Sequence, residues 1–124
     1  MTDREKFTEG DICTFRRSNG AWSFFWILKI DQTETAQSKI FSLRKFNVHT
    51  DAEIRREDVA DVAELKSLPL NGHFPIVEER VWECVPRVIG NMPVTDDALE
   101  GYAIWRAAFD RSEAGVFTLG LEEI

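Results

Sequence analysis

The sequence has little cysteine and histidine, and this shortage bears on metal and disulfide sites. It contains two cysteines, Cys13 and Cys84, and two histidines in 124 residues, with no CxxC pair. A structural zinc site takes four ligands, which usually come in paired spacings, so we expect no metal site. We interpret the cysteines as small apolar residues of a protein in a reducing cytoplasm. The alternative is a disulfide or a nucleophilic thiol.

Long apolar segments are also missing. The longest strongly apolar run is Phe24–Leu28, whereas a transmembrane helix needs about 20 residues. The polar first residues, 1–6, are not followed by the apolar segment of a secretory signal. We therefore expect a cytoplasmic protein that does not bind a membrane.

Catalytic and phosphate-binding motifs are absent from the sequence. It has neither the GxGxxG and GxxxxGK(S/T) loops that cradle phosphates nor the HExxH and GxSxG motifs of hydrolases. His49 and His73 match no standard metal-ligand spacing with nearby acidic residues. Adjacent acids such as Asp96 and Asp97 project apart and do not form a catalytic pair across a cleft. We predict a non-enzymatic protein without a metal or a cofactor.

The composition that is present is typical of one compact domain. The chain is 44% hydrophobic and 30% charged, which suits a single domain over residues 1–124 with its own core. Its net charge is −7. Residues 63–124 contain 5 basic and 11 acidic residues, whereas residues 12–56 contain 8 basic and 4 acidic ones. The overall acidity argues against a dedicated nucleic-acid-binding protein.

Strand patterns dominate residues 10–56, after a charged start over residues 1–9 that we expect to fray. Asn19-Gly20 between two strand-forming runs predicts a β-hairpin. The second strand is apolar on both faces: alternation places Trp22, Phe24, Trp26, Leu28 and Ile30 on one face and Phe25 and Ile27 on the other. Two further strands are predicted over residues 39–46 and 48–56.

Helical patterns dominate residues 57–124. A weak helical pattern over residues 57–65 precedes a predicted short helix over 75–84 and an extended piece over 87–89. The strongest helix begins at Thr95, which suits an N-cap, and its apolar face carries Ala98, Tyr102, Trp105 and Phe109. A last strand over residues 116–119 is an open alternative. Strands followed by helices predict an α+β domain: a small twisted antiparallel SH3-like barrel or half-barrel with C-terminal helices packed on it.

Two groups of side chains in the strand region are candidates for binding. Trp22, Phe24 and Trp26 either belong to the core or line a groove for a ligand, and their spacing favours the core. Arg16, Arg17, Arg44 and Lys45, with the nearby aromatic residues, indicate a nucleic-acid-binding barrel as an alternative function. The simpler interpretation of these basic residues is that they protect strand edges.

Several pieces of the sequence resemble a group of small bacterial proteins to which no activity is assigned. These pieces are the opening Gly10–Gly20, the strand Trp26–Ile30, the segment Gly72–Ile76, Trp82, and Pro93–Thr95 with Leu99–Tyr102 and Trp105. The likeness covers most of residues 10–109. Residues 10–30 also resemble the strand-rich immunity proteins of bacterial toxin systems. The chain departs from the group after the third strand, where it has acidic residues such as Asp51 and Glu53.

The resemblance makes Gly72-His73 and Gly101-Tyr102 the best candidates for a site. A glycine and a proline around His73 also suit a simple turn, which is the structural alternative. We predict a protein-interaction module, with an immunity protein that meets a basic toxin as its specific version. The alternatives are the nucleic-acid-binding barrel and a small-molecule-binding domain near His73. A homodimer through an exposed strand edge also stays open.

Overall fold

The protein folds around one antiparallel sheet, seen in a computed structural model that describes residues 7–32, 39–50, 70–116 and 121. The sheet has five strands in the order β4-β3-β2-β1-β5. The elements are β1 (Asp11–Arg16), β2 (Trp22–Asp31), β3 (Ile40–Thr50), β4 (Leu70–Val77), α1 (Glu78–Glu83), β5 (Arg87–Asn91) and α2 (Glu100–Asp110). The predicted α+β class is confirmed. Within the described residues the sheet stays open between its edge strands β4 and β5, so a closed SH3-like barrel is not what these strands form.

The predicted hairpin joins β1 to β2. Arg16 pairs with Trp22, the Arg17 amide donates to the Ala21 carbonyl over 2.7 Å, and Gly20 has a φ of +90°. A residue with a side chain rarely adopts that angle. The Asn-Gly pair therefore fixes both the turn and the register of the first two strands.

Both faces of the sheet are covered by apolar side chains. The α1 face, packed under Val81 of α1, carries Cys13, Phe15, Phe25, Ile27, Phe41, Leu43 and Ile76, and Phe7 and Leu121 join this cluster. The α2 face carries Ile12, Phe24, Trp26, Leu28, Phe46 and Ile89, which pack with Met92, Val94, Ala98 and Leu99 from the chain before α2. The two faces follow from the alternation over Phe24–Leu28 in β2, a central strand that is buried on both sides.

The aromatic residues of β2 are mostly core residues. Phe24 and Trp26 are each 3% exposed, and Trp22 is half-buried. The Trp26 Nε1 donates to the carbonyls of Met92 (2.9 Å) and Gly10 (3.2 Å). Phe24 and Trp26 are therefore unable to line an open groove, and the core interpretation is the one that fits them.

The alternation of β2 breaks near its end. The pairing with β3 shifts between Ile27 and Lys29, and Ile30 consequently packs with the cluster of the α1 face. The prediction that Ile30 shares a face with Trp22 was wrong. A bulge of this kind adds one residue to a strand and so reverses the faces that follow it.

Three predicted elements have other boundaries in the structure. The third and fourth strands are one strand, β3, as far as Thr50, and residues 51–56 lie outside the described part. The helix predicted over 75–84 starts only at Glu78, because residues 70–77 form the edge strand β4. Pro75 fits an edge strand, where its missing N–H can face away from the ladder. The weak helical pattern over 57–65 and most of the alternative last strand, 117–119, also lie outside the described residues.

The N-terminal segment and α2 show how the sheet is covered. Phe7, expected to fray with residues 1–9, is 8% exposed and stacks on Trp82 at 4.5 Å between ring centroids. Thr95 caps a turn rather than α2 itself: its hydroxyl accepts a bond of 3.3 Å from the Ala98 amide, and α2 begins at Glu100. The predicted apolar face of α2 is confirmed, with Trp105 buried and Tyr102 and Phe109 half-buried.

Candidate functional site

Helix α2 crosses strand β4 at a point of very close approach. A Cβ atom added to Gly101 would lie 3.3 Å from the Cβ of His73. Only a glycine allows the helix backbone to come this near without displacing a neighbour. The structure therefore brings together the two segments singled out in the sequence, Gly72-His73 on β4 and Gly101-Tyr102 on α2.

A cluster of rings holds the crossing in place. The His73 ring lies 5.6 Å from the Trp105 ring and 6.2 Å from the Tyr102 ring, measured between centroids. The Trp105 ring lies 5.0 Å from that of Phe109, and its Nε1 donates to the Gly115 carbonyl over 2.8 Å. Ring pairs at such distances stabilise a contact beyond their buried area. The position of α2 on the sheet is thus set by aromatic packing.

Tyr102, the other site candidate on α2, has a structural partner on the sheet. Its hydroxyl donates to the carboxylate of Asp31, at 2.9 and 3.1 Å from the two oxygens. Burial first, and then the hydrogen bond to Asp31, raise the pKa of Tyr102 to about 12. Arg106 lies 3.9 Å from the same carboxylate. These contacts tie α2 to the end of β2.

An open cavity of about 390 Å³ lies beside the crossing. We call it the β4–α2 groove. It is lined by Arg44, Gly72 and His73 from the sheet and by Asp97, Ala98, Glu100, Gly101 and Ile104 from α2 and the turn before it. Ile104 is 68% exposed at this groove. The volume falls in the range of about 300–1,000 Å³ that is usual for ligand sites.

His73 is neutral at physiological pH. Burial first, and then the positive charge of Arg44, lower its pKa to about 4. Its Nε2 is buried and has no hydrogen-bond partner among the residues that the structure describes. A buried polar atom without a partner is unusual and carries a free-energy cost. The Nε2 of His73 is thus an unpartnered polar atom in the packed part of the crossing, while other atoms of His73 line the groove.

Arg44 supplies a positive charge to the same groove. Its Nε donates to the Gly72 carbonyl over 3.0 Å. Within the described ranges no ion pair of 4.0 Å or less joins Arg44 to Asp97 or Glu100. The groove thus presents one cation and two anions, with no direct ion pair between them.

The four basic candidates of the strand region do not form one patch. Arg44 is paired with Trp26 and Lys45 with Phe25, so these two side chains lie on opposite faces of the sheet. Burial first, and then the positive charge of Arg17, lower the pKa of Lys45. Arg16 is exposed at the end of β1. The structure places Arg44 alone of the four in the groove.

Some groove residues carry no signal in the sequence. In the sequence, Arg44 is one of several basic strand residues. The pattern that contains Asp97, Glu100 and Ile104 is typical of a solvent-exposed helix surface. Glycine within a helical pattern, as at Gly101, is the one local indication of a close contact. Among the described residues no three His, Cys, Asp or Glu side chains form a metal-binding group, and the side chain of His49 lies outside the described part.

Neither cysteine forms a disulfide. Cys13 is buried and Cys84 is half-buried, and both pack in the cluster of the α1 face. This placement fits the interpretation of the cysteines as small apolar residues. In the described part of the chain, no helix has the length and apolar character needed to cross a membrane.

Comparison with known proteins yields no match: no family model, no curated protein and no solved structure matches the chain. The resemblance to a group of small bacterial proteins therefore stays a prediction. The function has to be argued from the geometry of the β4–α2 groove.

The neutral state of His73 predicts how stability depends on pH. An unfolded histidine takes up a proton near pH 6.5, whereas folded His73 does so only near pH 4. As the pH falls from 6.5 towards 4, the unfolded state binds more protons and the free energy of unfolding decreases. We expect His73 to account for a decrease of about 1 kcal/mol between pH 7 and pH 5, because solvent at the ring edge screens part of the effect.

Urea unfolding of the wild type and of His73→Gln at the two pH values measures this contribution. The free energy of unfolding of His73→Gln should decrease less between pH 7 and pH 5 than that of the wild type. In NMR spectra of the wild type, one of the two histidines should titrate near pH 4. A His73 resonance that titrates near pH 6.5 would contradict the burial of the ring.

Proposed function

We propose that the protein is a non-enzymatic protein-interaction module that binds a segment of a partner protein in the β4–α2 groove. The observation that carries this proposal is Ile104, a large apolar side chain that is 68% exposed at an open groove. A single exposed apolar residue is common on protein surfaces. What supports the proposal is that Ile104 lies in a concave, partly polar cavity, which is the usual form of a binding site.

The charge around the groove indicates a basic partner. Asp97 and Glu100 line the groove, and Asp96 is exposed on the same turn before α2. Acidic groups arranged in this way accelerate association with a basic surface and disfavour acidic partners. A basic toxin neutralised by this protein is the specific version of the proposal, and a small ligand bound at His73 is the competing one.

A photo-crosslinking amino acid at position 104 tests the proposal in the cells that make the protein. We expect one covalent adduct with a basic protein, and a much lower yield when Glu100→Lys is added. The matched control is position 85, because Val85 is 71% exposed and follows α1, on the other side of the sheet. A second control, Glu113→Lys, changes an exposed charge beyond α2.

The pattern of adducts decides among the candidates. Equal yields from positions 104 and 85, or no adduct from position 104, would show that the groove is not a protein-binding surface. For the toxin version, co-expression with the captured protein should protect cells from it, and Ile104→Asp should remove that protection.

A further inference from the structure

Three buried polar side-chain atoms lack a hydrogen-bond partner in the part of the chain that the structure describes, and all three lie between α2 and the sheet. They are the Ser42 Oγ and the His73 Nε2 on the sheet and the Arg106 Nη1 on α2. Such atoms are rare in folded proteins, because each loses its bonds to water without gaining others. Their concentration at one interface lowers the stability of that interface.

The strand register places Ser42 under α2. Phe41 and Leu43 point to the α1 face, so Ser42 between them points to the α2 face. Helix α2 contacts β2 through Asp31 and β4 through His73, and β3 lies between these two strands. The β3 partner of Asp31 is two positions from Ser42, and the β4 partner of Ser42 is two positions from His73. Helix α2 therefore passes over the fully buried Ser42.

The ion pair at the β2 side of this interface is incomplete. The Arg106 Nη1 lies 3.9 Å from the Asp31 carboxylate, which is longer than a hydrogen bond. The carboxylate accepts the hydroxyl of Tyr102 instead, and the Arg106 Nε lies 3.3 Å from Asp110 on α2 itself. When α2 moves away from the sheet, water reaches all three unpartnered atoms, and their hydration favours the open state.

The core on the α2 face is held mainly by residues outside α2. The apolar side chains that pack with the strands on this face are Met92, Val94, Ala98 and Leu99, from the chain before the helix. Of the α2 side chains only Trp105 is buried. An element with few buried side chains opens at a lower free energy than the strands of the core. The sheet therefore keeps its core when α2 opens.

Helix α2 and the residues after it form one unit between two anchored positions. The Trp105 Nε1 donates to the Gly115 carbonyl over 2.8 Å, and this bond lies wholly within the unit. Before the helix, Leu99 packs against the cluster of the α2 face. Beyond the unit, Leu121 is buried in the cluster of the α1 face. The two leucines thus bound a segment, residues 100–116, that moves while its ends stay fixed.

We infer that α2 is a lid: residues 100–116 open from the sheet as one unit while the sheet stays folded, and the partner enters between α2 and β4. Opening uncovers the rings of Tyr102, Trp105 and Phe109 and joins them to the lining of the β4–α2 groove. Aromatic side chains supply much of the binding energy at protein interfaces. The second half of this inference rests on the proposed function and describes how access to that groove is regulated.

Native-state hydrogen exchange of the full chain, followed by NMR, tests the opening. We expect the α2 amides to exchange through an opening of lower free energy than that of the β2 amides. In Ser42→Ala the α2 amides should exchange about tenfold more slowly than in the wild type, because the closed state no longer buries a hydroxyl without a partner. A factor of ten corresponds to about 1.4 kcal/mol, within the range for one unpartnered group.

Ser23→Ala is the matched control for the exchange measurement. Ser23 is also buried, at 1% exposed, but it pairs with Phe15 of the α1 face, and its Oγ accepts a bond of 3.3 Å from Arg17. The opening of α2 does not hydrate this hydroxyl. The substitution should therefore leave the exchange of the α2 amides unchanged and lower the free energy of unfolding of the whole domain.

A disulfide between positions 73 and 101 tests whether the partner needs the opening. A Cβ on residue 101 would lie 3.3 Å from that of His73, and disulfides join Cβ atoms about 3.5–4.5 Å apart. His73→Cys with Gly101→Cys therefore locks α2 to β4 after a small shift, and Cys84→Ala removes the half-buried native thiol. With the photo-crosslinking residue at position 104, the oxidised protein in an extract of the same cells should give a much lower yield of adduct than the reduced protein.

The outcomes separate the lid from the proposed function. Equal opening free energies in α2 and β2, or faster α2 exchange in Ser42→Ala, would overturn the lid, and adducts at position 104 would then belong to the closed groove. Equal yields from the oxidised and reduced proteins would show that the partner does not use the opening. If neither form gives an adduct, the proposed function fails, whereas the exchange data still decide whether α2 opens.

Discussion

Replacing Trp26 with alanine is expected to lower the free energy of unfolding by about 4 kcal/mol. The Trp26 side chain is 3% exposed and packs with Ile12, Phe24 and Leu28 on the α2 face. The substitution removes a large buried surface and leaves a cavity that the neighbours fill only in part. Urea unfolding followed by circular dichroism measures the loss. For a domain of this size a loss of this order removes much of the usual stability of about 5–15 kcal/mol.

Trp26→Phe separates packing from hydrogen bonding at the same position. Phenylalanine keeps an aromatic ring but lacks the Nε1 that donates to the Met92 and Gly10 carbonyls. The Gly10 carbonyl still accepts a hydrogen bond from the Met92 amide over 2.8 Å. The destabilisation therefore comes mainly from the hydrogen bond that the Met92 carbonyl loses. We expect a decrease of about 1–2 kcal/mol. If Trp26→Ala lowers the free energy of unfolding no more than Trp26→Phe does, Trp26 does not pack in the core and is available for binding.

Gly10→Ala is expected to lower the free energy of unfolding by about 3 kcal/mol, because two effects add. Gly10 has a φ of +93°, which costs an alanine about 1–2 kcal/mol. The new Cβ would also lie 3.0 Å from the side chain of Asn91 and 3.1 Å from the carbonyl oxygen of Met92. The Met92 backbone can move away from the new Cβ only by disturbing the hydrogen bond between the Met92 amide and the Gly10 carbonyl.

Gly20→Ala is the matched control for this effect. Gly20 has nearly the same φ, +90°, but the nearest atom to an added Cβ lies 3.9 Å away, at the flexible end of Arg16. We expect a loss of about 1 kcal/mol, from the backbone angle alone. The difference between the two variants in urea unfolding then measures the close packing around Gly10. Equal decreases in the free energy of unfolding would mean that Asn91 and Met92 move away from the new Cβ without a measurable cost.

The local elements of the fold follow from short stretches of sequence. The hairpin depends on the turn preferences of Asn19 and Gly20, and the apolar stripe of α2 depends on a helical spacing that packing preserved. The two covered faces of the sheet follow from the alternation in β2. The hairpin turn and the stripe of α2 rest on residues close in the chain, so a single sequence is sufficient to predict them.

Other boundaries were decided by contacts between distant residues. Segment 70–77 became a strand because β3 offers it a partner along Ile40–Phe46, and this pairing outweighs the local signal of a proline at the start of a helix. The bulge before Lys29 likewise depends on the pairing of β2 with β3. No pattern within β2 itself predicts that Ile30 changes face.

The candidate site shows the same division. Its parts can be found in the amino-acid sequence: a histidine beside a glycine, a second glycine within a helix, and acidic residues before and at the start of that helix. The packing of α2 on the sheet then brought His73 against Gly101, and strand pairing added Arg44 from a neighbouring strand. Charge and burial act through space, between residues that are distant in the chain. Burial first, and then the charge of Arg44, lower the pKa of His73, and neither can be deduced from residues adjacent to it in the chain.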